Sequence, residues 1–282
     1  MPDVSTRVIK LPSGTEVPVL GQGTWRMGEA ADRRADEIAA LRAGLDLGLS
    51  LIDTAEMYAD GEAELIVGEA IKDRRDDVFL VSKVLPENAT ARGTIAACER
   101  SLRRLGTDHL DLYLLHWRGD VPLAETLAAF VTLMLAGKIR SWGVSNFDVD
   151  DLADLARFPG AADLQTNQVL YNLTRRGIEF DLLSQARAGR LPIMAYSPIE
   201  QGRLLAHPAL GRIADRHDAT PAQIALAWVL RQPNVFAVAK AGTLAHVHEN
   251  HGALAIRLTP DDLAELDAGF PPPGQRRPLE TL

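Results

Sequence analysis

Short apolar runs, each closed by a polar residue, recur along this chain. Leu51-Ile52 ends in Asp53, the run from Val78 to Ser82 ends in Lys83, and Leu112 to Leu115 ends in His116. Trp142-Gly143-Val144 ends in Ser145-Asn146, Leu164 to Asn167 in Gln168, and Ile193-Met194-Ala195 in Tyr196-Ser197. Runs this short, separated by stretches of helical period, read as parallel strands covered on both faces. The pattern predicts strands near 19–23, 50–53, 78–83, 111–115, 139–145, 164–168, 192–196 and 235–239. Helices are expected between them at 36–47, 62–72, 90–105, 122–136, 148–157, 175–188, 220–231 and 243–254. Gly48 is a C-cap candidate for the first of these.

Two further helices are expected, at about 207–217 and 260–268; Thr259-Pro260 supplies an N-cap and a first-turn proline for the second. Ahead of the first strand, 7–11 and 16–20 flank Ser13-Gly14 as a short hairpin. Eight βα units in 282 residues fit an α/β fold of the (β/α)₈ TIM-barrel type, expected as one domain over 1–282 with the hairpin and two helices added. The rival is a doubly wound dinucleotide-binding sheet. Gly21-Gln22-Gly23 opens its glycine signature, but Arg26 stands where the third glycine belongs. From Phe270 onward, Pro271-Pro272-Pro273 predicts an extended surface segment. In a closed parallel barrel every strand ends on the same rim, where that fold builds its active site. Asp, Lys, His, Asn, Gln and Tyr would all arrive there, which is an enzyme's inventory.

Composition narrows the partners. Apolar residues make up 46% and charged residues 24%, the proportions of a globular protein. A net charge of −8 and a pI near 5.4 argue against nucleic acid or an anionic membrane as partner, while leaving room for a local basic pocket. The single cysteine, Cys98, excludes an intrachain disulfide and sits on a helical stretch as a core thiol. Residues 1–10 carry no apolar leader and no segment reaches transmembrane length, so a cytoplasmic protein is expected; the short loops and acidic surface point to a monomer.

Several segments resemble the signatures of the aldo-keto reductases. They are Asp53-Thr54-Ala55-Glu56-Met57-Tyr58, Val81-Ser82-Lys83, Leu114-Leu115-His116-Trp117, Gly137-Lys138-Ile139-Arg140 and Gly143-Val144-Ser145-Asn146-Phe147, followed by Asn167-Gln168, Ala195-Tyr196-Ser197-Pro198 and Glu249-Asn250. They stand in family order and at family spacing, and look most like small bacterial members with a short C-terminal tail, some of which reduce methylglyoxal. The resemblance implies a catalytic tetrad of Asp53, Tyr58, Lys83 and His116. Its chemistry is consistent: carbonyl reduction needs a hydride on carbon and a proton on oxygen. A phenol titrates near pH ~10, and a neighbouring ammonium is expected to lower that value. Asp53 would hold Lys83 charged, and His116 would position the carbonyl oxygen. Singly, each has a blander reading: Tyr58 as packing, Lys83 as a surface cation, Asp53 as a cap, His116 as a structural imidazole.

The resemblance also implies a nicotinamide cofactor, NADPH, lying across the barrel mouth. Ser145, Asn146 and Gln168 would bond its carboxamide, Tyr196 would stack on its ring, and Ser197, Lys240, His246, Glu249 and Asn250 would complete its site. At the 2′-phosphate the chain departs from the family. Val238-Ala239-Lys240-Ala241-Gly242 stands where Ile-Pro-Lys-Ser is usual, and His246 stands where Arg is usual. Lys240 offers a point charge and the helix start near Thr243 offers N–H groups, but imidazole cannot match the bidentate grip of Arg, so NADH is admitted as well. Trp25, Met57 and Trp117 are expected to wall a substrate pocket for a small carbonyl, and the loop 199–207 to cover the cofactor with freedom from Gly202. His246, His248 and His251 do not suggest a metal site, since only His248 and His251 share a helical face.

The expected activity is therefore NADPH-dependent reduction of aldehydes and α-dicarbonyls. A non-catalytic NADPH-binding regulatory subunit is the alternative on the same fold. Metal-dependent hydrolases and phosphosugar isomerases of the barrel type would want His-x-His at the first strand or a late glycine-rich phosphate loop, and the chain has neither.

Overall fold

The computed structural model describes residues 7–282; residues 1–6, on which the expectation about a leader partly falls, lie outside the described residues. A two-stranded antiparallel hairpin, β1 (Val8–Lys10) and β2 (Glu16–Pro18), precedes the barrel. The barrel strands are β3 (Leu20–Gly23), β4 (Leu51–Asp53), β5 (Phe79–Val84), β6 (Leu112–Leu115), β7 (Trp142–Ser145), β8 (Leu164–Leu170), β9 (Ile193–Tyr196) and β10 (Val235–Lys240). They pair in parallel in chain order, and β10 returns to β3, closing the barrel. The helices are α1 (Arg34–Asp46), α2 (Glu62–Ile71), α3 (Ala91–Leu105), α4 (Leu123–Leu135), α5 (Val149–Leu155), α6 (Leu182–Ala188), α7 (Pro208–Arg216), α8 (Pro221–Leu230), α9 (Leu244–Gly252) and α10 (Pro260–Gly269). The (β/α)₈ barrel and both added helices, α7 and α10, stand where the pattern placed them.

Local chemistry sets the element ends. Thr90, Asp148, Thr220, Thr243 and Thr259 each cap the helix that follows with a side-chain oxygen. Pro221 and Pro260 occupy first-turn positions where no N–H partner is needed. After α1 the chain turns at Gly48, whose φ of 83° explains the glycine there. Two elements differ from the pattern. The helix expected over 175–188 is broken into a 3₁₀ turn, Gly177–Glu179, and α6, because Asp181 leaves helical φ/ψ and its carboxylate caps Leu182 N at 2.7 Å. The strand expected from 139 begins only at Trp142. Ile139 makes an isolated bridge to Leu110, and Arg140 then turns its guanidinium to Asp111 at 2.9 Å.

Buried apolar side chains gather in two clusters, one centred on β9, β10 and α8, the other on α2, α3 and β5 to β7. Every residue of β4, β6, β7 and of the tract 165–170 is buried, as strands covered on both faces require. No helix among the described residues is long and apolar enough to cross a membrane. The segment after Phe270 has no regular structure and is largely exposed, as expected. It is nonetheless tied down by Arg276 to Asp150 (2.9 Å) and Asp181 (3.0 Å), and by Glu280 to Arg175 (2.7 Å).

Candidate active site

All eight barrel strands run the same way, so their C-terminal ends meet on one rim. Asp53 is the last residue of β4, Lys83 the penultimate residue of β5, and His116 follows β6 directly. Tyr58 opens a 3₁₀ turn over Tyr58–Gly61, in which Ala59 and Asp60 adopt positive φ and bring the chain sharply back over the rim. These four side chains converge. Lys83 Nζ donates to Asp53 Oδ2 at 2.8 Å, to the Thr54 carbonyl at 2.8 Å, and to Tyr58 Oη at 3.2 Å. The Tyr58 and His116 rings stand edge to face with centroids 6.0 Å apart. Lys83 is completely buried and Asp53 nearly so, while Tyr58 and His116 each keep a sliver of exposure toward the mouth. The Thr54 carbonyl was not visible to side-chain reasoning, because a backbone acceptor carries no residue-type signal.

Burial governs the electrostatics. The Tyr58 phenol is pushed above its ordinary value of 10.0 by desolvation; Lys83 pulls it down and Asp53 pushes it up, and burial prevails. The lowering expected from the ammonium is thus present but outweighed, and the phenol stays protonated at neutral pH. Desolvation works against the Lys83 ammonium, yet Asp53 and Tyr58 hold it above its ordinary value. His116 is pushed down to about 2, first by burial and then by Lys83. Its imidazole is therefore neutral, and its buried Nδ1 finds no hydrogen-bond partner among the described residues.

A second set of side chains surrounds the first. Ser145 Oγ donates to the Gln168 carbonyl at 2.9 Å, and Asn146, held at φ 58°, donates through Nδ2 to the His116 carbonyl at 3.0 Å. Tyr196 Oη donates to Asn146 Oδ1 at 3.0 Å, and burial raises its own phenol to about 12. The Gln168 amide donates to Asp53 Oδ1 at 2.8 Å, joining a residue assigned to the cofactor to the acid beneath Lys83. Ser197, at φ 48°, has its carbonyl held by Asn172 Nδ2 at 2.9 Å. The loop at 199–207 is less free than Gly202 suggested. Its Glu200 is buried and gripped by Asn172 (2.7 Å), Arg175 (3.1 Å) and Arg203 (2.9 Å). Asn172 and Arg175 were missed in the sequence because only the fold brings them to this loop.

Trp25 and Trp117 stand over the convergent group. The Trp25 ring meets Tyr58 edge-on at 5.0 Å, and the Trp117 ring lies 4.8 Å from His116. Met57 is half-buried and packs against the apolar cluster that contains Tyr58. At the end of β10, Lys240 is partly buried, His246 is exposed on α9 with its N–H on the Thr243 hydroxyl at 3.3 Å, Glu249 is half-buried, and Asn250 is buried. Burial, and after it the neighbouring His248, lowers the affinity of His251 for its proton. Cys98 is fully buried in α3 and its thiol is pushed up to about 12, an inert group. A cavity of about 370 Å³ beneath residues 276–280 is lined by Asp148, Leu170, Arg175, Asp181 and Arg276. Neither Tyr58, Lys83 nor His116 reaches it, so the reactive geometry lies elsewhere.

Residues 19–269 match the sequence profile of the Aldo/keto reductase family. The chain is 50% identical over 281 residues to the methylglyoxal reductase YeaE of Escherichia coli (strain K12), covering 98% of this chain and 99% of that protein. It is 33% identical to a glyoxal reductase of Bacillus subtilis (strain 168), covering 95% of this chain and 94% of that one. Among solved structures, an aldo/keto reductase from Klebsiella pneumoniae in complex with NADP and acetate superposes with a TM-score of 0.96 at 50% identity, over 98% of this chain and 100% of that one.

Proposed function

The chain belongs to the Aldo/keto reductase family, and from that premise we propose that it reduces aldehydes and α-dicarbonyls of the methylglyoxal kind to alcohols with NADPH. The reading takes residues 1–282 as one domain acting as a monomer. The observation that carries it is the contact of Lys83 Nζ with Tyr58 Oη at 3.2 Å, with Asp53 on the far side of the ammonium. The names of the Escherichia coli and Bacillus subtilis relatives, a methylglyoxal and a glyoxal reductase, point to the same small carbonyls.

The nicotinamide, when bound, supplies the hydride. The chain's own residues do the rest. Lys83 donates to the Tyr58 oxygen, so the phenolic proton is left to be aimed at a third atom, the carbonyl oxygen of the substrate. Because burial keeps that phenol protonated, Tyr58 is the general acid in reduction and, deprotonated, the base in oxidation. Asp53 and the Thr54 carbonyl hold the ammonium in place against its desolvation. Neutral His116 donates a hydrogen bond that orients the carbonyl oxygen without adding a second cation beside Lys83. Trp25 and Trp117 exclude water from this corner.

The residues present suit the cofactor. Tyr196 presents a partly exposed ring with its hydroxyl anchored to Asn146, and Lys240 holds a partly buried cation at the end of β10. Since His246 replaces the arginine usual in the family, NADH is admitted as a poorer cofactor. A non-catalytic NADPH-binding subunit would have no use for the buried Lys83–Asp53 pair, and no observation favours it. Turnover of methylglyoxal and 4-nitrobenzaldehyde, followed by loss of NADPH absorbance, tests the proposal. Tyr58→Phe is expected to lose about 10²-fold or more in kcat; unchanged turnover in that variant sinks the assignment of Tyr58.

A further inference from the structure

Barrel closure brings together two loops from opposite ends of the chain. β3 pairs with β10, Gly23 opposite Lys240, so the segment leading from β3 into α1 stands beside the segment leading from β10 into α9. Arg33 lies in the first of these, in the 3₁₀ turn Ala31–Arg33 just ahead of α1. A Cβ built on Gly242 would fall 2.6 Å from Lys240 Nζ and 2.7 Å from Arg33 Nη2. Both cations therefore crowd onto the bare backbone of Gly242, at a point where even a methyl group would collide with them. Gly242 does not adopt a positive φ, so its backbone makes no demand for glycine; what the missing side chain allows is the close approach of these two cations.

Like charges do not gather at such a distance without something to neutralise them. The compensation within the chain is partial. Arg33 Nη2 approaches Glu37 Oε1 only to 3.9 Å, and the other oxygen of Glu37 is taken by the Gly28 N–H at 3.0 Å. Glu29, Glu37 and Arg26 are the remaining charged groups facing Lys240. Among the described residues the Lys240 ammonium has no hydrogen-bond partner. Burial, and after it Arg33, lowers the affinity of Lys240 for its proton, and Glu37 and Glu29 offset this only in part. The Arg33 side chain is 48% exposed and thus able to turn its fork to a ligand.

We infer that Arg33 and Lys240 form the seat of the 2′-phosphate of NADPH, with Arg33 supplying from the β3–α1 segment the guanidinium that position 246 lacks. The inference rests on the proposed use of NADPH and deepens it. A dianionic phosphate set against this pair of cations would meet a planar, bidentate donor on one side and a point charge on the other. The guanidinium then comes from the segment between β3 and α1 instead of from α9, while Lys240 keeps the place that the family pattern gives it.

Calorimetric titration with 2′,5′-ADP and with 5′-AMP tests the seat without turnover, since the two ligands differ only in the 2′-phosphate. Wild type is expected to bind 2′,5′-ADP the more tightly. Arg33→Ala is expected to weaken that ligand about tenfold or more while 5′-AMP stays within about twofold, and Arg33→Lys to recover only part of the loss. Undiminished preference for 2′,5′-ADP in Arg33→Ala overturns the seat and leaves the NADPH reading standing. Equal loss of both ligands assigns Arg33 a structural role and overturns it too. Should wild type itself show no preference, the seat and the preference for NADPH fall together, while carbonyl reduction, tested through Tyr58→Phe, is judged separately.

Discussion

Gln168 Nε2 donates to Asp53 Oδ1 at 2.8 Å, from β8 across the barrel to β4, while Lys83 occupies Asp53 Oδ2 at the same distance. Both oxygens of a nearly inaccessible carboxylate are thereby engaged, and a side chain assigned to the cofactor also steadies the acid that holds Lys83. Gln168→Leu should strand Asp53 Oδ1 and cost about 1–3 kcal/mol of stability. Gln168→Glu should cost more at pH 8, where a second carboxylate would face Asp53, and recover toward the Leu variant as the pH falls to 5 and that pair takes up a proton. Thermal unfolding of both variants at the two pH values measures this. A Gln168→Glu deficit that does not vary with pH would show that the two side chains are not coupled.

His116 should make the protein acid-sensitive. In the unfolded chain its imidazole titrates near 6.5, whereas in the fold it is pushed down to about 2. Between those values the unfolded chain binds the proton and the fold does not, so stability is complete above pH 6.5 and declines as the pH falls. Down to pH ~5 the loss attributable to His116 amounts to about 2 kcal/mol. Melting curves of wild type and His116→Gln across this range should converge as the pH drops, since the variant has no proton to take up. Parallel curves would remove His116 as the cause.

His246→Arg should raise the ratio of kcat/KM for NADPH over NADH by about tenfold, because a guanidinium at the start of α9 would add a bidentate donor that imidazole lacks. His246 is exposed and its side chain makes no hydrogen bond among the described residues, so the substitution disturbs nothing that the fold uses. A wild type that already prefers NADH, or a ratio unmoved by the substitution, contradicts this reading of position 246. Steady-state kinetics with both cofactors decides it.

The Tyr58 phenol gives reduction its own pH signature. Its value lies above 10.0, so the proton-donating form persists through neutrality and reduction should fall off only on the alkaline side of pH ~10. Oxidation of the alcohol, which needs the deprotonated form, should rise over the same interval. Profiles of kcat in both directions are the measurement; a loss of reduction centred near pH 7 would mean that Lys83, not burial, sets the value.

Much of the site was legible because strand ends are local features. Asp53, Lys83, His116, Ser145 and Tyr196 each close an apolar run, and the rim follows from parallel strands alone. Other features were not legible, for reasons that differ. The helix expected over 175–188 broke because Asp181 prefers to cap rather than continue it, a competition that apolar spacing does not register. The pinned loop at Glu200 depends on Asn172 and Arg175, which reach it only once β8 and β9 are paired. The direction of the Tyr58 shift depended on how completely the ring is desolvated, which no spacing reports.

By itself the chain's pattern determined the order of strands and helices, the polar residues at or near most strand ends and the caps that start most helices, since these arise from interactions among near neighbours. Tertiary structure decided what those ends meet. Closure of β10 on β3 set Arg33 beside Lys240, and the barrel interior set Gln168 on Asp53. Both pairs join residues far apart in sequence. Their contact depends on strand pairing and barrel closure, and their energetics on the water excluded when the barrel closes. Neither quantity exists until the whole chain has folded.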